Sequence, residues 1–208
     1  MGDGAIFPML NIGSHTAEYR SKYQPWIDKY IFTPAQKRGQ IVKHSDIRPD
    51  AGVDIVGDLS DPQFLNSLRQ MRFRSVLCAN LLEHVLNREE IARTLTEVVA
   101  PGCFLLVSCP YKFPFHPDPI DTMFRPTPDE LAALFPGTSV IHRDILKCGT
   151  LISYSVGRFL GSPLLLAKSL VKRGGDKHPC PNEAPSSLRY GSWLFRQFQE
   201  SCIVLQKE

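Results

Sequence analysis

Neither of the glycine loops that gather phosphates occurs in this chain of 208 residues: there is no G-x-x-x-x-G-K-[ST] and no G-x-G-x-x-G. A nucleoside triphosphate, or a dinucleotide held by its pyrophosphate, is therefore not the expected ligand. No two of the six cysteines form a C-x-x-C pair, which removes a zinc ribbon and a thioredoxin-like site. No metal ligand spacing is recognisable, so no metal is expected. Charge of one sign is scarce: 24 Lys and Arg against 21 Asp and Glu leave a net +3. A dedicated nucleic-acid binder shows a stronger basic bias, so no nucleic-acid partner is expected. The opening MGDGAIFPML has no basic leader followed by a long apolar run, so no secretory signal is expected. The longest apolar stretch, Leu151 to Val171, is interrupted by Arg158, Gly161, Pro163 and Lys168, which argues against a bilayer span. Cys78, Cys103, Cys109 and Cys202 lie in or beside apolar runs, as reduced, buried thiols of a cytoplasmic protein do.

What is present suits one packed domain over 1–208. Hydrophobic residues make up 43% of the chain and charged ones 22%, enough for a core and too little charge for disorder. Strands are predicted at Met9–Ile12, Gln40–Ser45, Val53–Val56, Ser75–Ala79, Cys103–Ser108, Ser139–Leu146 and Cys202–Gln206. A short helix is predicted over Thr16–Tyr23, with Trp26–Gly39 irregular or partly helical. Asp61-Pro62, Asn87 with Glu90, and Thr127-Pro128-Asp129-Glu130 read as capped helix starts, the last running to Phe135. Strands alternating with helices predict an α/β fold: a Rossmann-like three-layer sandwich with a seven-stranded, mostly parallel sheet and an antiparallel last strand. Residues 147–192 are predicted to be a helix-plus-loop insertion before that strand. Within it, 162–173 reads as an apolar helix that covers the sheet or, through Lys168, Lys172 and Arg173, touches a membrane surface peripherally. Gly174 to Gly191 reads as a long loop.

In an open α/β sheet, ligands bind beyond the carboxyl ends of the strands. Those ends carry Asn11, Gly13, Ser14 and His15, then Asp46 and Ile47, then Asp58 and Leu59, then Asn80 and Leu81, then Pro110 and Tyr111. A glycine after the first strand lets a ligand approach the backbone. A carboxylate after the second can accept from ribose hydroxyls, and one after the third from an adenine amine. The plainer alternative for both acids is a turn or helix-cap carboxylate. A nucleoside site without a phosphate grip points to S-adenosyl-L-methionine.

The stretch from Met9 to Phe135 resembles the class I S-adenosylmethionine-dependent methyltransferases, of the broad small-molecule kind labelled methyltransferase type 11. LNIGS resembles the family's first motif, HSDIRP its second-strand acidic motif and VDIVGDL its third-strand motif. ANLLEHVLNREEIARTLTEVVAPGCFLLVSCP resembles its leucine-glutamate-histidine turn and the following helix and strand. The resemblance implies that Gly13 faces the methionine part of the cofactor, with Asn11, Ser14 and His15 also in the cofactor site. It implies that Asp46 and Ile47 meet the ribose side, Asp58 and Leu59 the adenine, and Asn80 and Leu81 the sulfonium. The family has an acidic residue where this chain has Asn11, and glycines where it has His15 and Ala17.

The segment PYKFPFHPDPIDTMFRPTPDEL follows the fifth strand, where substrate loops sit, and resembles an H-x-x-P-x-D-x-x-R pattern of some family members. His116 is the candidate general base, because its ordinary pKa lies near neutrality, and Asp121 the residue that orients it. Arg125 either binds an acidic acceptor or pairs with Asp121; Tyr111 gates the pocket or packs. The alternative for the whole loop is a salt-bridged structural element. His84 reads as a packed turn residue. The expected activity is methyl transfer to a hydroxyl or amine of a small molecule, with a sugar or lipid-linked glycan as candidate acceptor. The competing reading, favoured by positions 11, 15 and 17, is a non-catalytic methyltransferase-like domain that acts as a binding partner or scaffold.

Overall fold

A computed structural model describes residues 5–116, 120–150 and 196–208. Its strands are β1 (Met9–Ile12), β2 (Val42–Asp46), β3 (Ile55–Val56), β4 (Ser75–Ala79), β5 (Phe104–Lys112), β6 (Thr138–Thr150) and β7 (Gln197–Lys207). They form one sheet in the order β3-β2-β1-β4-β5-β7-β6. The first five run parallel, and β7 lies antiparallel to both β5 and β6.

Side chains of the central strands alternate between two cores. Leu10, Ile12, Val76, Cys78, Leu105 and Val107 enter the larger one, with Leu68, Ile91, Ala92, Leu95 and Val98 from the helices Pro62–Gln70 and Arg88–Val98. Met9 and Leu77 point the other way, onto Phe32 with Ile27 and Ile31. The period of two thus gives β1 two covered faces, and all four of its residues are buried. The second layer is the 19–37 stretch, in which Tyr19–Tyr23 and Asp28–Phe32 wind with i→i+5 hydrogen bonds, such as Gln24 N–H to Tyr19 C=O at 2.9 Å. Such winding is rare outside single-turn bulges.

Asp61 caps its helix as predicted, accepting from Gln63 N–H at 2.9 Å, with Pro62 at the first position. Thr127 and Glu130 form a full capping box, although that helix ends at Ala132 rather than Phe135. Asn87 differs from expectation: its side chain caps no backbone N–H and donates instead to Glu90 Oε2 at 2.9 Å. The strand β5 runs on through Pro110 and Tyr111, carried by its pairing with β7. By the same pairing β6 reaches Thr150, so residues 147–150 are strand and not the start of an insertion. The predicted membrane-touching helix at 162–173 and the loop at 174–191 lie outside the described residues. No helix among the described residues is long and apolar enough to cross a membrane. Cys78 and Cys109 are buried free thiols, while Cys103, Cys148 and Cys202 are free and partly buried.

The turn after β3 depends on Gly57. A Cβ there would lie 2.3 Å from the Phe64 ring, which packs on the larger core. Gly57→Ala is expected to cost about 1–3 kcal/mol by overpacking, measurable as a lower urea midpoint at unchanged slope.

Candidate active site

The chain leaves β1 through a turn in the left-handed region. Gly13 has φ +65°, and a Cβ on it would sit 3.3 Å from Leu81 Cδ1. His15 has φ +53°, a conformation that costs a residue with a side chain of order 1–3 kcal/mol. Position 15 thus keeps a glycine-like backbone without the glycine. Its N–H donates to Asp46 Oδ2 at 2.8 Å, and Arg48 N–H donates to Asp46 Oδ1 at 3.2 Å. One carboxylate therefore fastens the turn after β1 to the turn after β2. Arg20 adds a second clamp, donating to the carbonyls of Ser14 (3.1 Å), His15 (2.6 Å) and Gly52 (2.8 Å).

The imidazole of His15 is turned onto Tyr19, with ring centroids 4.1 Å apart, and its Nδ1 accepts from Thr16 N–H at 2.7 Å. Asn11 is buried, and its amide meets His44 Nδ1 at 3.1 Å. The amide N–H can only donate, so His44 Nδ1 is the acceptor and the ring is neutral. Burial, helped by the Arg20 charge, lowers the His44 pKa to about 4.

A cleft of about 50 Å³ opens here, lined by Asn11, Gly13, Ser14, His15, Tyr19, Arg20, Gln24, Ile27, Phe32 and Ala79. Ligand pockets usually enclose roughly 300–1,000 Å³. The cleft therefore holds only part of a nucleoside-sized molecule. Four of the ten predicted cofactor residues line it: Asn11, Gly13, Ser14 and His15. Tyr19, Arg20, Gln24, Ile27, Phe32 and Ala79 also line it without having been assigned to the cofactor, although the stretch from Tyr19 to Phe32 is where a lid over the pocket is expected.

The other six lie along the strand tips outside the cleft. Asp46 is half-buried, and Ile47 beside it is 61% exposed. Asp58 is exposed; its Oδ1 accepts from Ser60 N–H at 2.8 Å, and bonding to Ser60 holds its pKa below the ordinary range. Leu59 packs partly buried on the larger core. Asn80, at φ +54°, stands between Glu200 and Ser108: its Nδ2 donates to Glu200 Oε1 at 3.1 Å, and its Oδ1 accepts from Ser108 Oγ at 3.3 Å. Burial raises the Glu200 pKa. Leu81 faces Gly13.

A second group of polar side chains surrounds the turn Leu82–His84 that follows β4. Asp121 is held by Arg125, with Nη2 to Oδ2 at 2.6 Å and Nη1 to Oδ1 at 3.1 Å. Against the upward push of burial, Arg125 and the N–H groups of His116 and Met123 keep the Asp121 pKa below the usual carboxylate range. His116 Nδ1 lies 3.0 Å from Asp121 Oδ2. Burial lowers the His116 pKa, and Asp121 partly opposes it. The three residues predicted to work together are thus in contact. Glu83, passed over in the sequence, is fully buried among them, and burial raises its pKa to about 7. The His84 ring crosses that of His116 edge-on at 5.2 Å. Tyr111 is half-buried near the end of β5, with Lys112 Nζ 5.6 Å from its ring centre.

No family model matches the chain, and no curated protein matches its sequence. Solved structures do resemble it. Coclaurine N-methyltransferase bound to N-methylheliamine and SAH superposes with a TM-score of 0.54 at 14% identity, over 97% of this chain and 68% of that one. The MccD protein gives 0.53 at 10%, over 96% and 90%. The methyltransferase in complex with the Trm112 activator from Haloferax volcanii gives 0.53 at 13%, over 100% and 84%. The chain has the class I methyltransferase fold, a Rossmann-like α/β sandwich.

Proposed function

We propose that this chain binds S-adenosyl-L-methionine across the tips of β1, β2, β3 and β4 and methylates a hydroxyl or amine of a small molecule. A sugar or lipid-linked glycan is the candidate acceptor. The observation that carries the reading is the left-handed turn at Gly13 and His15 tied to Asp46. It leaves backbone and carboxylate together at the mouth of the sheet, with no phosphate-binding loop beside them. The methionine part fits the cleft over Gly13, where a Cβ would intrude toward Leu81. The ribose lies outside it against Asp46 and Ile47, and the adenine toward Asp58 and Leu59. Asn80 and Leu81 flank the sulfur.

The cofactor supplies a methyl group already activated on a sulfonium. The chain's own work is therefore positioning, exclusion of water and handling of one proton. With the cofactor held there, the acceptor would lose one proton as it is methylated, and His116 is the residue placed to take it. The Pro114 carbonyl and the Asp121 carboxylate beside His116 Nδ1 leave Nε2 as the basic nitrogen. Arg125, committed to both oxygens of Asp121, keeps that carboxylate ionised, and Tyr111 lines the approach. A cytoplasmic setting suits the free thiols.

Calorimetric titration with S-adenosylhomocysteine is the test. Binding at about 10 μM, or roughly −7 kcal/mol, is expected. No heat at millimolar ligand would remove the enzyme reading and leave a non-catalytic binding domain. That second reading has its own support in the narrowness of the cleft, about 50 Å³ with the His15–Tyr19 stack on its wall.

A further inference from the structure

One oxygen of Glu83 and one ring nitrogen each from His84 and His116 lie within 4.8 Å of one another. Ligands around zinc stand about 3.4 Å apart for bonds near 2.0–2.1 Å, so side-chain rotations would close the set. The Glu83 side chain is wholly buried, yet its Oε1 has no hydrogen-bond partner among the described residues and faces His84 Nε2 at 3.7 Å. A buried carboxylate oxygen left open in this way asks for a cation.

Both imidazoles are prepared for one. The Nδ1 of His84 is bonded to the Ile120 carbonyl, and that of His116 to the Pro114 carbonyl at 3.3 Å, with Asp121 Oδ2 3.0 Å away. An acceptor on Nδ1 holds the ring proton there and leaves the Nε2 lone pair free, as outer-shell partners do for metal-bound histidine. The support extends further. Arg125 grips Asp121, and Thr122 donates to the Glu83 carbonyl through its N–H and its hydroxyl, each at 2.9 Å. The two histidine side chains are 16% and 28% exposed, which gives an ion a way in from solvent.

We propose that Glu83, His84 and His116 form a binding site for a first-row divalent metal ion with open coordination positions on the acceptor side. Two imidazoles and one carboxylate suit zinc, cobalt, manganese or iron(II), and three protein ligands leave room for water or a substrate oxygen. The ion site rests on the cluster alone; its placement beside a methyl acceptor rests on the methyltransferase reading. In the loaded protein the Nε2 lone pair of His116 is committed to the ion, so the proton-accepting role proposed for it above belongs to the metal-free protein.

The full chain, stripped with a chelator, is titrated with Co²⁺ and followed by visible absorption. One equivalent is expected to bind and develop ligand-field bands, and Zn²⁺ is expected to abolish them. His116→Ala and Glu83→Gln are each expected to weaken Co²⁺ binding at least about 10-fold, and Asp121→Asn by roughly 10–100-fold through the lost support. Circular dichroism checks each variant. If Glu83→Gln fails to fold, His116→Ala, which replaces a partly exposed ring, carries the test. Absence of the bands at millimolar Co²⁺, or undiminished binding by folded His116→Ala, overturns the site. S-adenosylhomocysteine is titrated into the same samples. Metal binding without it leaves the ion site standing and removes the enzyme, and the reverse result does the opposite.

Discussion

Replacing Asp46 by alanine is expected to weaken S-adenosylhomocysteine binding about 100-fold, the largest loss of any single change at the strand tips. Two contributions add. A hydrogen bond from a ribose hydroxyl to a carboxylate is worth about 1.5–3 kcal/mol. The same substitution removes the acceptor for His15 N–H at 2.8 Å and for Arg48 N–H at 3.2 Å, so the turn that carries Gly13 loses its tie to β2. Together these approach about 3 kcal/mol, or two decades in affinity. Asp46→Asn keeps one oxygen for His15 and is expected to lose less. Calorimetry on both variants, with a thermal melt to confirm the fold, makes the measurement. Equal affinity in Asp46→Ala and the parent chain would show that the ligand lies elsewhere.

Acidification from pH 6.5 to pH 4 is expected to remove about 2–3 kcal/mol of stability through His44 alone. Its folded pKa, about 4, lies below the ordinary value of 6.5 because burial and Arg20 disfavour the imidazolium. In that window the unfolded chain takes up a proton that the folded chain refuses. The stability from neutral His44 is therefore complete above pH 6.5 and drains away as the pH falls toward 4. The cause is local: His44 sits beneath the edge of Phe32, ring centroids 4.8 Å apart, and accepts from Asn11. His44→Gln retains an acceptor for Asn11 and carries no titrating ring, so its urea-unfolding free energy should lose less over the same interval. The difference between the two slopes isolates His44 from the chain's other acids and histidines. A parent chain no more acid-sensitive than His44→Gln would contradict the assignment.

Those elements whose residues all meet the core were legible in the sequence. Strands β1 and β4 have the predicted bounds because their apolar runs are buried on both faces. The helix after Asp61 was announced by its own cap and proline. The tips followed from the strands, and so Asp46 and Gly13 stand at the ends of β2 and β1 as expected. What escaped depends on distant pairing or on unusual winding. The bond from Asn80 to Glu200 exists only because β7 sets Glu200 opposite Pro110 and within reach of it. The wall formed by Tyr19, Gln24, Ile27 and Phe32 is built around two segments with i→i+5 bonds, Tyr19–Tyr23 and Asp28–Phe32, whose faces an apolar stripe spaced for 3.6 residues per turn does not give. At Glu83, a charged letter in a turn gave no sign of complete burial, where Cys109 Sγ meets its carboxylate and Thr122 its carbonyl. Asn87 shows the opposite case, a cap signature that the side chains satisfied between themselves.

The position of β7 bears on how such a chain is made. It fills the gap between β5 and β6 although it follows both in sequence, starting 85 residues after β5 ends at Lys112 (197 − 112). A ribosome adds about 5–20 residues each second, so the Phe-Leu-Leu-Val run of a nascent chain waits several seconds with one edge unsatisfied. Bare apolar edges are templates for pairing with other chains, which makes that interval the one in which a holdase has most to do.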